Sequence, residues 1–126
     1  MRRIFSGGPF EAKVGYCRAV VAGKWVHVSG TVCPADPATG QVPEGSAAQC
    51  AGALAVIETA LAEAGAGFAD VVRVTFMLPD AAEFEACWPI LHAAFGAAPP
   101  AATMIECGLV APQYRIEIEV TAWRPA

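Results

Sequence analysis

The stretch that decides the fold is Arg115-Ile116-Glu117-Ile118-Glu119-Val120-Thr121-Ala122-Trp123, in which apolar and polar residues alternate without a break. Successive side chains of a β-strand point to opposite faces of a sheet, so the two isoleucines, the valine and the alanine share one face. The pattern predicts a strand over Tyr114–Trp123 with one face in the core and one polar face.

Two segments upstream of this strand are predicted to be strands as well. Val71–Leu78 is β-branched and largely apolar, as is typical of a central strand covered on both faces. Thr103–Val110 is followed by Ala111-Pro112-Gln113, a turn that leads into the last strand. The second half of the chain therefore supplies three strands of a sheet.

A β-hairpin is predicted near the start of the chain. Its strands are Cys17–Val21 and Trp25–Ser29, and Ala22-Gly23-Lys24 joins them. The next residues, 30–45, are rich in Pro, Asp, Gly and Thr, which predicts a long surface loop. Loops of this kind often border functional sites.

Two helices are predicted between the strands. The first begins after Ser46 and ends near Gly65, because apolar residues recur between them at spacings of three and four. The second runs over Ala81–Phe95 and presents an aromatic and sulfur-containing stripe, which favours a core face over the wall of a pocket. Since Pro89 removes a backbone donor, we expect a kink or a late start near Glu85.

The element order ββ-α-β-α-ββ predicts an α+β domain spanning residues 1–126, with a mixed sheet and two helices packed on one face. Hydrophobic residues make up 56% of the 126 residues and charged residues only 16%. A domain of this size cannot bury so large an apolar fraction alone, so we expect a homo-oligomer.

Composition and motifs exclude several classes of function. No apolar run is long enough for a transmembrane helix and the first residues do not resemble a signal peptide, so we expect a cytoplasmic protein without membrane partners. A net charge of -4 opposes nucleic-acid binding. Five scattered cysteines favour reduced thiols, and neither His27 nor His92 has a second ligand at metal-binding spacing. This spacing gives no reason to expect a metal ion. The sequence also lacks a phosphate-binding loop and a GxGxxG motif, so no nucleotide cofactor is expected.

The polar face of the last strand carries the strongest candidate for chemistry. Glu117 or Glu119, if partly desolvated at a subunit seam, could act as a general acid or base, whereas two solvated glutamates would do nothing. Cys107 and Cys17 are candidate nucleophiles, but no neighbouring group in the sequence would activate them. Ser29 lacks the frame of a nucleophile elbow.

Five strings in register, from about residue 10 to the end of the chain, resemble the Rid family, also called the YjgF family. They are Gly15-Tyr16-Cys17-Arg18-Ala19-Val20, Val26-His27-Val28-Ser29-Gly30-Thr31, Asp36-Pro37-Ala38-Thr39-Gly40, Pro100-Ala101-Ala102-Thr103 and Ile116-Glu117-Ile118-Glu119. The resemblance implies a chorismate-mutase-like fold and a homotrimer with a central barrel and three clefts between subunits. Its best-known members hydrolyse reactive imines and enamines without metal or cofactor.

The resemblance also assigns roles to residues. Glu117 matches the glutamate that positions or activates the attacking water, and Tyr16 matches a residue that lines the cleft. Ser29 and Gly30 match the strand end at the cleft floor, and Cys107 lies beside the C-terminal motif. These matches imply a cofactor-free hydrolase.

The chain departs from the deaminases at the residue that binds the substrate carboxylate. Their arginine is replaced by Ala102, which supplies neither charge nor hydrogen bonds. Met104 stands where the motif has a cysteine, and Trp88 replaces a polar helix residue. The resemblance therefore implies a diverged member whose pocket suits a neutral or more apolar substrate better than a small charged imino acid.

Three functions remain open from the sequence. In the first, Glu117 moves protons on a reactive imine, enamine or related intermediate while a backbone N–H near Cys107 or Met104 polarises it. In the second, a trimer binds a small apolar metabolite without chemistry. The third is an endoribonuclease or translation inhibitor, which the negative charge and absence of a basic patch disfavour. Three arginines could replace the lost carboxylate anchor: Arg18, Arg73 and Arg115.

Overall fold

The last strand of the chain lies inside a six-stranded mixed sheet. The computed structural model describes residues 1–125. Its strands are β1 (Arg2–Ile4), β2 (Ala19–Ala22), β3 (Trp25–Thr31), β4 (Val71–Leu78), β5 (Ala101–Glu106) and β6 (Glu117–Trp123). Its two α-helices are α1 (Ser46–Glu63) and α2 (Trp88–Phe95). The strand order is β1-β2-β3-β6-β4-β5, and β5 is parallel to β4 while every other pair is antiparallel.

The alternating pattern of β6 is confirmed in the sheet. Ile118, Val120 and Ala122 are buried, and Glu119 and Trp123 are exposed. Because β6 lies between β3 and β4, its apolar face meets apolar residues of both neighbours, such as Val28 and Val74. The strand therefore holds together the two halves of the sheet.

Both helices cover the same face of the sheet. The buried side of α1, which includes Ile57 and Leu61, belongs to one core together with Leu91 and Phe95 of α2 and the apolar face of the sheet. Among residues 1–125 no helix covers the opposite face, so within a single chain β4 is covered on one side and its expected cover on the other side stays a prediction. Val72 and Arg73 of β4 are exposed there. The α+β class with two helices on one face is confirmed.

Two strands differ from the sequence predictions, whereas the second helix agrees with one of them. A short strand, β1, was not predicted and pairs with β2. Strand β5 starts and ends earlier than Thr103–Val110, and it pairs with β4 rather than with the strand that follows it. The late start of the second helix is confirmed, although it begins at Trp88 after two short 3₁₀ helices. Pro89 then lies in the first turn, where its missing N–H costs nothing.

No helix among residues 1–125 is long and apolar enough to cross a membrane.

Candidate functional site

The candidate general base lies on the uncovered face of the sheet. Glu117 is half-buried and stands opposite Met77 of β4. Its carboxylate packs against the backbone of Gly30, since a Cβ atom built on Gly30 would lie 2.6 Å from Glu117 Oε2. The glycine thus makes room for the carboxylate at the end of β3.

The surroundings of Glu117 favour its protonated form. Burial raises the pKa of Glu117, the positive charge of Arg18 opposes that change, and the negative charge of Glu119 adds to it. The net result is a pKa above the ordinary value of 4.5. A carboxylate with a raised pKa accepts and returns a proton near neutral pH more readily than a solvated one.

The strand end around Gly30 is irregular and tightly held. The pairing of β3 with β6 shifts register between Val28 and Thr31, as in a β-bulge. The Ser29 hydroxyl donates to the Cys17 carbonyl at 2.7 Å, and the Ser29 N–H donates to the Arg18 carbonyl at 2.9 Å. Ser29 therefore fixes the backbone of the site. Its hydroxyl proton is bonded to the Cys17 carbonyl and is not available to a substrate.

Tyr16 is brought to the same end of the sheet by a short π-helix, Glu11–Gly15. The ring is half-buried and lies under the guanidinium of Arg18, with 5.5 Å between Cζ and the ring centroid. Four of the predicted site residues therefore lie at the same end of the sheet, joined by contacts through Arg18 and the end of β3: Tyr16, Ser29, Gly30 and Glu117.

The remaining predicted pocket residues lie on the other side of the sheet. Ala102 pairs with Val74 and Met104 pairs with Phe76, so both share the helix-covered face. Ala102 and Trp88 line an apolar groove of about 360 Å³ between α2 and the edge of the sheet. Trp88 is 53% exposed there. Within one chain, this groove and Glu117 are on opposite faces.

Cys107 follows β5 and is half-buried. Its backbone N–H donates to the Leu78 carbonyl at 2.9 Å, so this N–H is not available to polarise a substrate. Because alternate residues of an edge strand direct their N–H groups to opposite sides, the N–H of Met104 points to the open edge. Of the two backbone donors expected from the sequence, Met104 is the one with the suitable direction.

The three candidate arginines have different surroundings. Arg18 is buried and donates to several protein oxygens. Arg115 forms an ion pair with Glu83 beside a separate cavity of about 670 Å³. Arg73 is exposed on the uncovered face and donates to Thr103 Oγ1 at 2.9 Å. Of these three candidates, Arg73 is the one that is accessible on the face of Glu117.

The sequence offered Arg18 as one possible anchor for a substrate carboxylate and did not reveal its partner Glu11. The two residues form a buried ion pair with 3.4 Å between Arg18 Nη2 and Glu11 Oε2. Both stand beside apolar or small residues in the sequence, but nothing in their spacing shows that they meet. Among residues 1–125 no group of three His, Cys, Asp or Glu residues could hold a metal ion.

The fold and this site define a class of protein: small α+β chains with a half-buried carboxylate on the uncovered face of a six-stranded mixed sheet. The family described as "Endoribonuclease L-PSP" matches residues 8–124. This chain belongs to that family, which is the Rid (YjgF) family, as the sequence resemblance indicated.

Curated and solved relatives agree with this assignment. A 2-iminobutanoate/2-iminopropanoate deaminase of Capra hircus is 33% identical over 124 residues, covering 97% of this chain and 90% of the relative. The crystal structure of a YjgF/YER057c/UK114 family member from Mycobacterium tuberculosis is 37% identical, with a TM-score of 0.87 over 97% of this chain and 98% of that one. The YjgF gene product of E. coli is 28% identical, with a TM-score of 0.78 over 98% and 94% of the two chains.

Proposed function

We propose that this protein is a cofactor-free hydrolase that converts a reactive imine or enamine into the corresponding carbonyl compound and ammonia. The observation that carries the proposal is the half-buried Glu117, which packs against Gly30 and has a raised pKa. The similarity to 2-iminobutanoate/2-iminopropanoate deaminases supports the same reaction class.

The proposed chemistry requires one carboxylate and one water. Glu117 accepts a proton from water as the water oxygen bonds to the imine carbon, and the electron pair of the C=N bond moves to nitrogen. Glu117 then returns the proton to nitrogen, which gives a neutral carbinolamine. In a second relay Glu117 accepts the hydroxyl proton as the C=O bond forms and delivers a proton to nitrogen as the C–N bond breaks, so that imine and water become carbonyl compound and ammonia. An enamine enters the same sequence after tautomerising to the imine, with one proton gained at carbon and one lost from nitrogen. The Met104 N–H at the open edge is the proposed donor that polarises the substrate.

We place the active site at a cleft between subunits of a homotrimer. Glu117 and the groove at Ala102 lie on opposite faces of the sheet in one chain, so a second copy is needed to bring such groups together. The uncovered face also exposes Trp25 and Trp123, large apolar side chains that a central barrel would bury. Association of three sheets through this face would form the proposed trimer and bury both tryptophans.

The proposed substrate is neutral or more apolar than an amino-acid-derived imine. Ala102 supplies no cation, and the groove beside it is formed by aromatic and aliphatic side chains together with Trp88. A carboxylate placed against these groups would lose its hydration without gaining a partner. Aromatic or branched neutral imines match the surface better.

The test is the decay of imines generated in situ. An amino-acid oxidase supplies carboxylate-bearing imines and an amine oxidase supplies neutral ones, and decay is followed with wild type, Glu117→Ala, Glu117→Gln and Ala102→Arg. Glu119→Gln is the matched control, because Glu119 lies two residues along the same face but is exposed. We expect wild type and the control to accelerate the decay of neutral or aromatic imines. The Glu117 variants should leave the spontaneous rate of decay unchanged.

Other outcomes distinguish the alternatives. Activity on carboxylate-bearing imines that appears only in Ala102→Arg would show that the native substrate is not an imino acid. If wild type accelerates no imine and Glu117→Ala leaves the affinity for an apolar metabolite unchanged, the protein is a binding module. Ribonuclease activity that survives Glu117→Ala would point to a contaminant.

A further inference from the structure

One buried charged residue has no part in the proposed reaction. The side chain of Arg18 is 9% exposed, yet its guanidinium has several partners. It donates to the Gly30 carbonyl at 2.7 Å, to Thr31 Oγ1 at 3.0 Å and to Ser6 Oγ at 3.3 Å. Together with Glu11, these groups take four of the five N–H donors of a buried guanidinium, so Arg18 is not free to bind the carboxylate of a substrate.

Glu11 is the counter-ion of this buried arginine. It is 4% exposed and accepts from the Ser6 N–H at 3.1 Å and the Gly8 N–H at 3.3 Å, as well as from the Ser6 hydroxyl. Burial raises the pKa of Glu11, but the hydrogen bonds from Ser6 and Gly8 and the charge of Arg18 outweigh burial and lower it overall. Glu11 is therefore an anion at neutral pH.

The ion pair contacts two of the proposed site residues. Arg18 holds the Gly30 carbonyl, and the other side of Gly30 supports the Glu117 carboxylate. The same guanidinium covers the ring of Tyr16. The backbone N–H of Tyr16 donates to the backbone carbonyl of Glu11 at 3.0 Å. A single polar network thus joins the end of β3, the π-helix and the segment after β1.

We propose that Arg18 and Glu11 are a positioning pair that sets the place of Gly30 and Tyr16 and, through Gly30, the place of the Glu117 carboxylate. This inference rests on the proposed function of Glu117. Neither residue touches the reacting atoms, so both act through the groups they hold.

The charges around Glu117 give the pair a distinctive signature. Residues of three strands face the Glu117 carboxylate. Glu119 is on the same strand, and the neighbouring strand β3 has Ser29, Gly30 and, further away, His27. On the other side, β4 has Met77, Thr75 and, further along, Arg73. Arg18 is the positive charge that lowers the pKa of Glu117. Neutralising Arg18 should therefore raise the pKa of Glu117, and neutralising Glu11 should lower it by leaving Arg18 uncompensated.

The experiment compares Arg18→Gln, Glu11→Gln and Arg18→Lys with wild type. The midpoint of Glu117 is measured from the ¹³C shift of its labelled carboxyl carbon, assigned with Glu117→Gln, and from the acid limb of the kcat/KM profile. Arg18→Gln should move both midpoints up by about one pH unit, a tenfold change, and Glu11→Gln should move them down. Arg18→Lys keeps the charge but loses the planar fork, so the midpoint stays and kcat falls while KM changes little.

Arg124→Gln is the matched control. Arg124 also donates to two backbone carbonyls, those of Gly23 and Ala64, but lies at the other end of β6. If Arg18→Gln and Glu11→Gln reduce stability without moving the Glu117 midpoint, the pair is structural and the inference is wrong. If the ¹³C midpoints move in opposite directions while wild type hydrolyses no imine, the electrostatic role stands and the proposed reaction fails.

Discussion

Replacing Gly30 with alanine should damage the proposed reaction far more than the fold. The new Cβ would lie 2.6 Å from Glu117 Oε2 and 3.1 Å from Glu117 Cδ. To reach an ordinary contact of 3.4 Å, the carboxylate has to move by about 0.8 Å. A displacement near 1 Å costs a catalytic group on the order of a hundredfold in rate, so we expect kcat/KM for the best imine to fall by about 10- to 100-fold.

The stability of Gly30→Ala should change little. Gly30 is not among the residues with positive φ, so its backbone accepts alanine without strain. The atom that must give way is the end of a flexible side chain rather than backbone. We therefore expect the free energy of unfolding, measured in urea, to stay within about 1 kcal/mol of wild type.

Two other glycines provide matched controls. A Cβ on Gly52 would lie 2.2 Å from Cys33 Sγ, in a buried contact remote from Glu117, so Gly52→Ala should lose about 1–3 kcal/mol of stability with unchanged kcat. A Cβ on Gly108 meets nothing within 4 Å, so Gly108→Ala should change neither quantity. Full activity in Gly30→Ala would refute the placement of Glu117 against Gly30 as a catalytic arrangement.

Glu117→Gln should be more stable than wild type at neutral pH, because the folded protein raises the pKa of Glu117 and so opposes its ionisation. The difference should be absent below about pH 4, grow as the pH rises through the interval above 4.5, and be measurable by urea unfolding at several pH values. A thiol reagent should label one cysteine rapidly in the native protein and all five in denaturant. The reason is that Cys107 is half-buried, whereas the other four cysteines are buried. Rapid native labelling of two or more thiols would contradict the burial.

Local patterns predicted the fold wherever the elements are long or strictly periodic. The alternation in β6, the hairpin of β2 and β3 and the spacing in α1 are local signals, and the structure confirms them. The three-residue β1 is too short to show a period, and it becomes a strand because β2 offers it an edge. The parallel pairing of β5 with β4 joins segments about 30 residues apart, which no short window can show.

The site was predictable in its chemistry but not in its geometry. The polar strand face offered both Glu117 and Glu119 as candidates, and the resemblance singled out Glu117 and added Tyr16, Ser29 and Gly30. Ala102 and Met104 lie on the helix-covered face because of the register in which β5 pairs with β4. That register joins segments far apart in the chain, so the local sequence does not show it. Arg18 and Glu11 were not paired because two charged residues in separate segments reveal their burial only once the chain is folded.

The separation of the two groups on opposite faces bears on how substrate preference can vary in this fold. Glu117 depends on Gly30 and Arg18 at one end of the sheet, whereas Ala102 contacts the groove between α2 and β5. Within one chain the two sets lie on opposite faces of the sheet, and only the proposed cleft between subunits brings them together. The positive charge introduced by Ala102→Arg should therefore lower the pKa of Glu117 and move the acid limb of its pH profile down. An acid limb that stays where it is in wild type would mean that the groove and the carboxylate do not meet in one cleft.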